Sequence, residues 1–407
     1  MENIPLILNY LFGTGIIFTH IAGYILSFVS LLFIYINWKY LKQEKIFIAM
    51  SLFLIYGFIL ACFADEKTKA FGEMFNYFAS WLPPFILGYY ITDENSKYKI
   101  IMLYLAMFTA VAILSVLAYY GLFYKTIFNG HFAGEGLYGH VNAFLWHISL
   151  GAMCVLISSI SLIFLLFKED LNSKKQIFLL IFSVFWIMVL VLTGSRGYYI
   201  AGFITYVLIF GFYIYKFKKI KIPLIALSIS IMVAGIIYFT DPYMQQRIKN
   251  TSLDSEDSVT YRLRAYPIAF EIFKKTPLFG AGPRQSVIQK ELKNSNLGIP
   301  THLHSLYLNM MTDFGLVGFA IFGYLIFQIL KRLYDIYMQE NSLFALAMIF
   351  AWMSILIGEN FDAILRGPRV AMDYFWITGL IIGGTCWKLG SLEAGKLSKD
   401  NGKKKRS

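Results

Sequence analysis

Arginines and histidines gather where this chain is least apolar. Asp241 to Leu303 is one long polar interruption in an otherwise apolar sequence. Just upstream lies Leu192-Thr193-Gly194-Ser195-Arg196-Gly197-Tyr198, and at its end lies His302-Leu303-His304-Ser305-Leu306-Tyr307-Leu308. Between them stand Arg262, Arg264 and Arg284. Arginine is always charged, and its planar fork matches phosphate oxygens. Histidine changes charge near neutral pH and can serve as a base. Together these groups could hold a pyrophosphate and move a proton beside it.

Each residue also has a plainer reading. Small neighbours around Arg196 (Gly194, Ser195, Gly197) let a ligand approach the backbone, yet an arginine at a membrane edge can equally snorkel to the headgroups. Arg262 and Arg264 precede an amphipathic run and could be a solvated face. Gly280-Ala281-Gly282-Pro283 forces a tight turn before Arg284. Arg366 and Arg369 flank Gly367-Pro368 and could join the same cluster. His302 and His304 stand at i, i+2 with no acidic or cysteine partner at a metal-binding spacing, so we expect a general base and no metal. Asp313, Glu359, Asp362 and Asp373 could each orient His304 or pair with an arginine, and the sequence does not rank them. Asp254 to Ser258 reads as a helix start, and Pro267 is expected to restart or kink the helix that follows.

The remainder is scaffold. Of 407 residues, 58% are hydrophobic, and mean hydropathy is +0.61. Soluble domains are about 45–50% apolar, so the excess implies a polytopic membrane protein. Its apolar runs do not alternate, which selects helices over a barrel. The expected fold is all-α, with about 12 transmembrane helices by run length and one long periplasmic loop containing short helices. The apolar cores 5–17 and 20–36 read as two spans, or Pro5 to Ile36 as one long broken helix hinged near Gly13 and Gly15. The expected divisions are a transmembrane bundle over 1–240, a large loop over 241–303, C-terminal transmembrane helices over 304–388 and a basic tail over 389–407.

The net charge of +12 is spread over short loops and the tail and forms no patch, which argues against nucleic acid. Every second loop is basic, as at Lys39, Lys42 and Lys45, at Lys168, Lys174 and Lys175, and at Lys216 to Lys221. Short basic loops stay cytoplasmic. Both chain ends are then cytoplasmic, and the Arg196 turn, the long loop and the segment Glu359 to Asp373 lie outside. Cys62, Cys154 and Cys386 fit no metal or disulfide spacing, and no cleaved signal peptide is expected.

At these residues the chain resembles the bacterial O-antigen ligase family. Thr193-Gly194-Ser195-Arg196-Gly197 is similar to the family's turn before a span. Arg262, Tyr266 and Ala269 follow its Arg-x-x-x-Trp-x-x-Ala pattern, with tyrosine for the usual tryptophan. Pro277, Gly280 and Gly282 follow its Pro-x-x-Gly-x-Gly turn. His304, Tyr307, Leu308, Asp313, Gly315 and Gly318 follow its His-Asn-x-Tyr-Leu run with later acid and glycines, with Ser305 for the asparagine.

The resemblance implies an inner-membrane glycosyltransferase without cofactor. Its donor would be an undecaprenyl-pyrophosphate-linked glycan and its acceptor lipid A-core, in lipopolysaccharide biosynthesis at the periplasmic face. Arg196 and Arg262 would stabilise the leaving pyrophosphate, and His304 would deprotonate the acceptor hydroxyl, with inversion. Arg264, Arg284, His302, Gly194, Ser195, Gly280 and Gly282 would line the substrate site. An O-antigen polymerase or a protein O-oligosaccharyltransferase would share this arrangement, but those relatives tend to be longer. A polyprenyl-glycan transporter would instead carry charges at the midplane of its bundle.

Overall fold

The computed structural model describes residues 3–18, 20–32, 38–39, 41–91, 93–120, 122, 147–242, 245, 258–286 and 303–383. Among these the regular elements are helices, with no strand. In chain order they are α1 (Asn3–Phe18), α2 (His20–Leu31), α3 (Lys45–Phe63), α4 (Lys67–Tyr89), α5 (Glu94–Tyr119), α6 (His147–Phe167), α7 (Ser173–Leu192), α8 (Arg196–Phe217) and α9 (Lys221–Thr240). They continue as α10 (Ser258–Lys275), α11 (Leu306–Glu340), α12 (Leu343–Gly358) and α13 over 368–383, with a 3-10 turn at Ile364–Arg366. Seven of the described helices are long and apolar enough to cross a membrane, and the chain is a polytopic membrane protein.

Polar side chains start the helices. Asp93, Asn172, Ser305 and Ser342 each accept a backbone N–H from the first turn that follows. Lys218 and Asn341 end α8 and α11 in the left-handed conformation. Buried residues make up 94% of the α6 span but 17% of α9, so α6 is the central post and α9 lies on the outside of the described bundle. At Gly379 and Gly383, one turn apart, α13 lies directly on α4. A Cβ at Gly379 would stand 2.2 Å from the Phe85 carbonyl oxygen, and one at Gly383 2.1 Å from that of Tyr89. Small residues at this spacing let membrane helices approach backbone to backbone.

Two local expectations need correction. The chain stays helical through Gly13 and Gly15, so neither is a hinge; α1 ends at Phe18 and α2 begins at His20. Gly13 is small because the Trp376 ring lies against it, 2.6 Å from where a Cβ would be. Likewise α10 runs through Pro267 without restarting. That proline is exposed.

Because the helices alternate in direction, two ends can be told apart. The starts of α4, α8 and α11 lie at one end, with the ends of α7 and α12. The ends of α6 and α11 and the starts of α5 and α7 lie at the other.

Candidate functional site

The first wall is the α7–α8 turn. Thr193 closes α7, its hydroxyl donating to the Leu190 carbonyl at 2.7 Å and accepting the Ser195 N–H at 3.2 Å. Gly194 takes φ 65°, which turns the chain sharply enough for α8 to begin at Arg196. The half-buried Arg196 therefore sits on the first turn of a helix, whose positive dipole end favours an anion. Its neighbours press on the segment after α12. A Cβ on Gly197 would stand 2.7 Å from that of Phe361, and one on Gly358 2.7 Å from the Tyr198 ring.

The second wall carries His304. This residue is left-handed at φ 51°, and Ser305 behind it caps α11. The Leu306 N–H donates to the Glu359 carbonyl at 2.9 Å, pinning the segment to the same stretch after α12. Asn309 closes it from below, accepting the Leu303 N–H at 3.2 Å and donating to the Ser305 carbonyl at 2.7 Å. His304 Nδ1 lies 3.6 Å from Asp362 Oδ1, and its side chain is 32% exposed against 10% for the aspartate. That oxygen also accepts the Ala363 N–H at 2.8 Å, which fixes the carboxylate.

Over this pair lies α10. Ala269 and Ile272 bury themselves against Leu303, seating the helix on the start of α11. Tyr266 donates to the Asn360 carbonyl at 2.8 Å. Burial pushes the Tyr266 phenol up, Arg262 pulls it down, and Asp362 raises it further, so one locale holds all three. Arg262 stands one turn ahead of Tyr266, on the same helix face. Arg264, two residues on, is exposed on another face.

The Pro277–Gly282 turn is stapled to a break in α11. Ala281 and Gly282 donate to the carbonyls of Thr312 and Asp313 at 2.8 and 2.9 Å, and Leu316 donates to Pro277 at 2.9 Å. The Asp313 carboxylate accepts the N–H groups of Arg284 at 3.0 Å and Ser286 at 2.9 Å. A Cβ on Gly280 would stand 2.4 Å from the Asp313 carbonyl oxygen, and one on Gly315 2.4 Å from that of Leu278. Gly280 and Gly315 are thus needed where two backbones touch.

The floor is the 364–366 turn. Arg366 Nη2 donates to Glu73 Oε2 at 3.1 Å, with a second bond from Nε to Oε1, and both residues are buried. Asn76 and Trp81 of α4 donate to the carbonyls of Arg366 and Leu365 at 2.7 and 3.0 Å. Glu359 accepts the Leu365 N–H at 2.8 Å, and burial pushes its carboxyl well above the usual range.

Residues 178–323 match the family model described as O-antigen ligase. That segment of the chain is similar to the O-antigen ligase family. No curated protein matches the chain. The matched segment takes in the Arg196 turn, α10, the Pro277–Gly282 turn and His304, and it stops before Asp362.

His304 and the Arg262–Tyr266 face, both within the matched segment, meet over the stretch after α12, against which the Arg196 turn also packs. Gly194 and Ser195 shape that turn. Gly280, Gly282 and Arg284 belong to the stapled turn, where their backbones are held by α11. Arg264 points elsewhere, and His302 lies outside the described residues. The four acids now separate by partner: Asp362 to His304, Asp313 to the Arg284 turn, Glu359 to Leu365, and Asp373 one turn beyond Arg369 on α13. Glu73 gave no signal in the sequence, since its partner lies 293 residues away. Among the described residues no group of three or more His, Cys, Asp or Glu could hold a metal.

Proposed function

We propose that this protein is an O-antigen ligase. It transfers a glycan from undecaprenyl pyrophosphate to a sugar hydroxyl of lipid A-core, at the periplasmic face of the inner membrane. The observation that carries this reading is the meeting of His304, Asp362 and the Arg262–Tyr266 face on the segment that also receives the Arg196 turn. The basic loops at the opposite end support a cytoplasmic placement for that end.

His304 takes the proton of the acceptor hydroxyl, and the oxygen attacks the anomeric carbon. Asp362, beside Nδ1, orients the ring and stabilises the imidazolium that forms. As the bond from anomeric carbon to pyrophosphate oxygen breaks, negative charge grows on the leaving group. Arg196 and Arg262 meet that charge where it develops, with Arg284 assisting. One displacement inverts the anomeric centre. The energy is already in the donor's pyrophosphate linkage, so the residues need only position and stabilise.

The test is the lipopolysaccharide gel profile of a deletion strain complemented with wild type or His304→Ala. Naked lipid A-core in the deletion, with a ladder restored by wild type alone, supports ligation. Core capped with a single repeat points to polymerisation. An intact ladder without the gene removes the lipopolysaccharide assignment and directs attention to glycoproteins.

A further inference from the structure

Two cavities adjoin at the end of the bundle opposite His304. One, of about 280 Å³, lies between α5, α6 and α7, and the other, of about 330 Å³, reaches α11 and α12. Tyr98, Phe164, Lys168 and Phe344 line both, so the second cavity flanks the groove formed by the first. Its wall toward α5 and α7 is apolar and open to the side, since Met102 is 41% exposed and Phe178 61%. Its rim is cationic. Lys168 stands 5.9 Å over the Phe164 ring, and Lys175 lines the same mouth on the first turn of α7. Glu94 and Glu340 border the second cavity, but Lys97 holds Glu94 at 3.2 Å. An apolar slot that opens sideways among membrane helices accepts acyl chains. Two lysines at its mouth, beside a helix N-terminus, select a negative headgroup.

We propose that this groove binds an anionic phospholipid, with its phosphate between Lys168 and Lys175 and its acyl chains along Met102 and Phe178. The site is separate from the proposed transfer chemistry, with α7 between the two.

The full-length protein in detergent is titrated with phosphatidylglycerol and followed by native mass spectrometry. Phosphatidylcholine of equal chain length and inorganic phosphate serve as comparison ligands. We expect saturable binding of phosphatidylglycerol, weaker binding of phosphatidylcholine and none of phosphate. Lys168→Gln with Lys175→Gln should weaken phosphatidylglycerol about twenty-five-fold, at about fivefold per lysine. Lys42→Gln, at an exposed lysine of the same end outside the groove, should change it little. Ala106→Trp, which fills the exposed wall of the groove, should reduce binding while lysines remain. Equal affinity for the two lipids overturns the proposal. So does unchanged binding in the double lysine variant, or an equal loss from Lys42→Gln.

Discussion

His304 Nδ1 stands 3.6 Å from Asp362 Oδ1, and the two come from opposite sides of the paired helices α11 and α12. The separation is ion-pair range and slightly longer than a hydrogen bond. Such contacts in ligand-free sites commonly tighten when substrate arrives. His304→Ala should therefore lower transfer by about 10²–10⁴-fold. Asp362→Asn should lower it less, because the base survives and only its orientation and charge partner are lost. Timed ladder formation in membranes, normalised to protein level, measures both. Wild-type rates in Asp362→Asn would remove the aspartate from the mechanism.

The arginines divide by face. Arg196→Ala or Arg262→Ala should abolish transfer at normal expression, and Arg262→Lys should restore only part of it, since lysine lacks the fork. Arg264→Ala should stay near wild type, because that residue is exposed away from Tyr266. Comparable loss in all three alanine variants would mean that the loop attracts its donor by general charge.

Gly315 has φ 64° and ψ −170°, a region almost reserved for glycine. Gly315→Ala should cost about 1–3 kcal/mol in backbone strain, to which contact with the Leu278 carbonyl adds. The readout is the thermal midpoint of the purified protein, with loss of transfer following from displacement of the Arg284 turn. An unchanged midpoint would show that the break in α11 can be rebuilt elsewhere.

Glu73 and Arg366 should behave as one unit. Removing either side chain leaves a buried charge and should cost about 3–5 kcal/mol. Replacing both, Glu73→Leu with Arg366→Met, should recover most of that loss. A double-mutant cycle on thermal midpoints tests the coupling, and simple additivity would contradict it.

Burial raises the Glu359 carboxyl, so the folded protein holds a proton that the unfolded chain releases. Its contribution to stability is complete below the ordinary glutamate value of 4.5 and is lost as pH rises through the folded value. Glu359→Gln keeps an oxygen for the Leu365 N–H and does not ionise. Between about pH 5 and about pH 8, its thermal midpoint should fall less than that of wild type. Parallel midpoints would show that Glu359 does not set the slope.

The sequence was most legible where a rule is local. Apolar runs of sufficient length read directly as helices, and the caps at Asn172 and Ser305 carry their own signature. Arg196, Arg262 and His304 stood out because charge at the edge of apolar spans is costly and needs a reason. Tertiary proximity was hidden. Nothing periodic ties Asp362 to His304 or Glu73 to Arg366, so the four acids looked equivalent until partners were seen. Pro267 does not restart the helix, since α10 continues across it as one element. The tight turn at Gly280 and Gly282 was legible, but its close approach to α11 at Gly280 was not.

The Glu73–Arg366 bond and the glycine seam at Gly379 and Gly383 also bear on how the protein is made. Synthesis proceeds from the N-terminus, so α4 enters the membrane with a carboxylate whose cation lies 293 residues downstream. Until α13 emerges, the α4 surface that will receive Gly379 and Gly383 lacks its counterpart, and Asn76 and Trp81 have no turn to hold. The last described helix is therefore the clasp of the bundle. A chain interrupted before Arg366 would contain every residue of the matched segment and still lack the floor on which they converge.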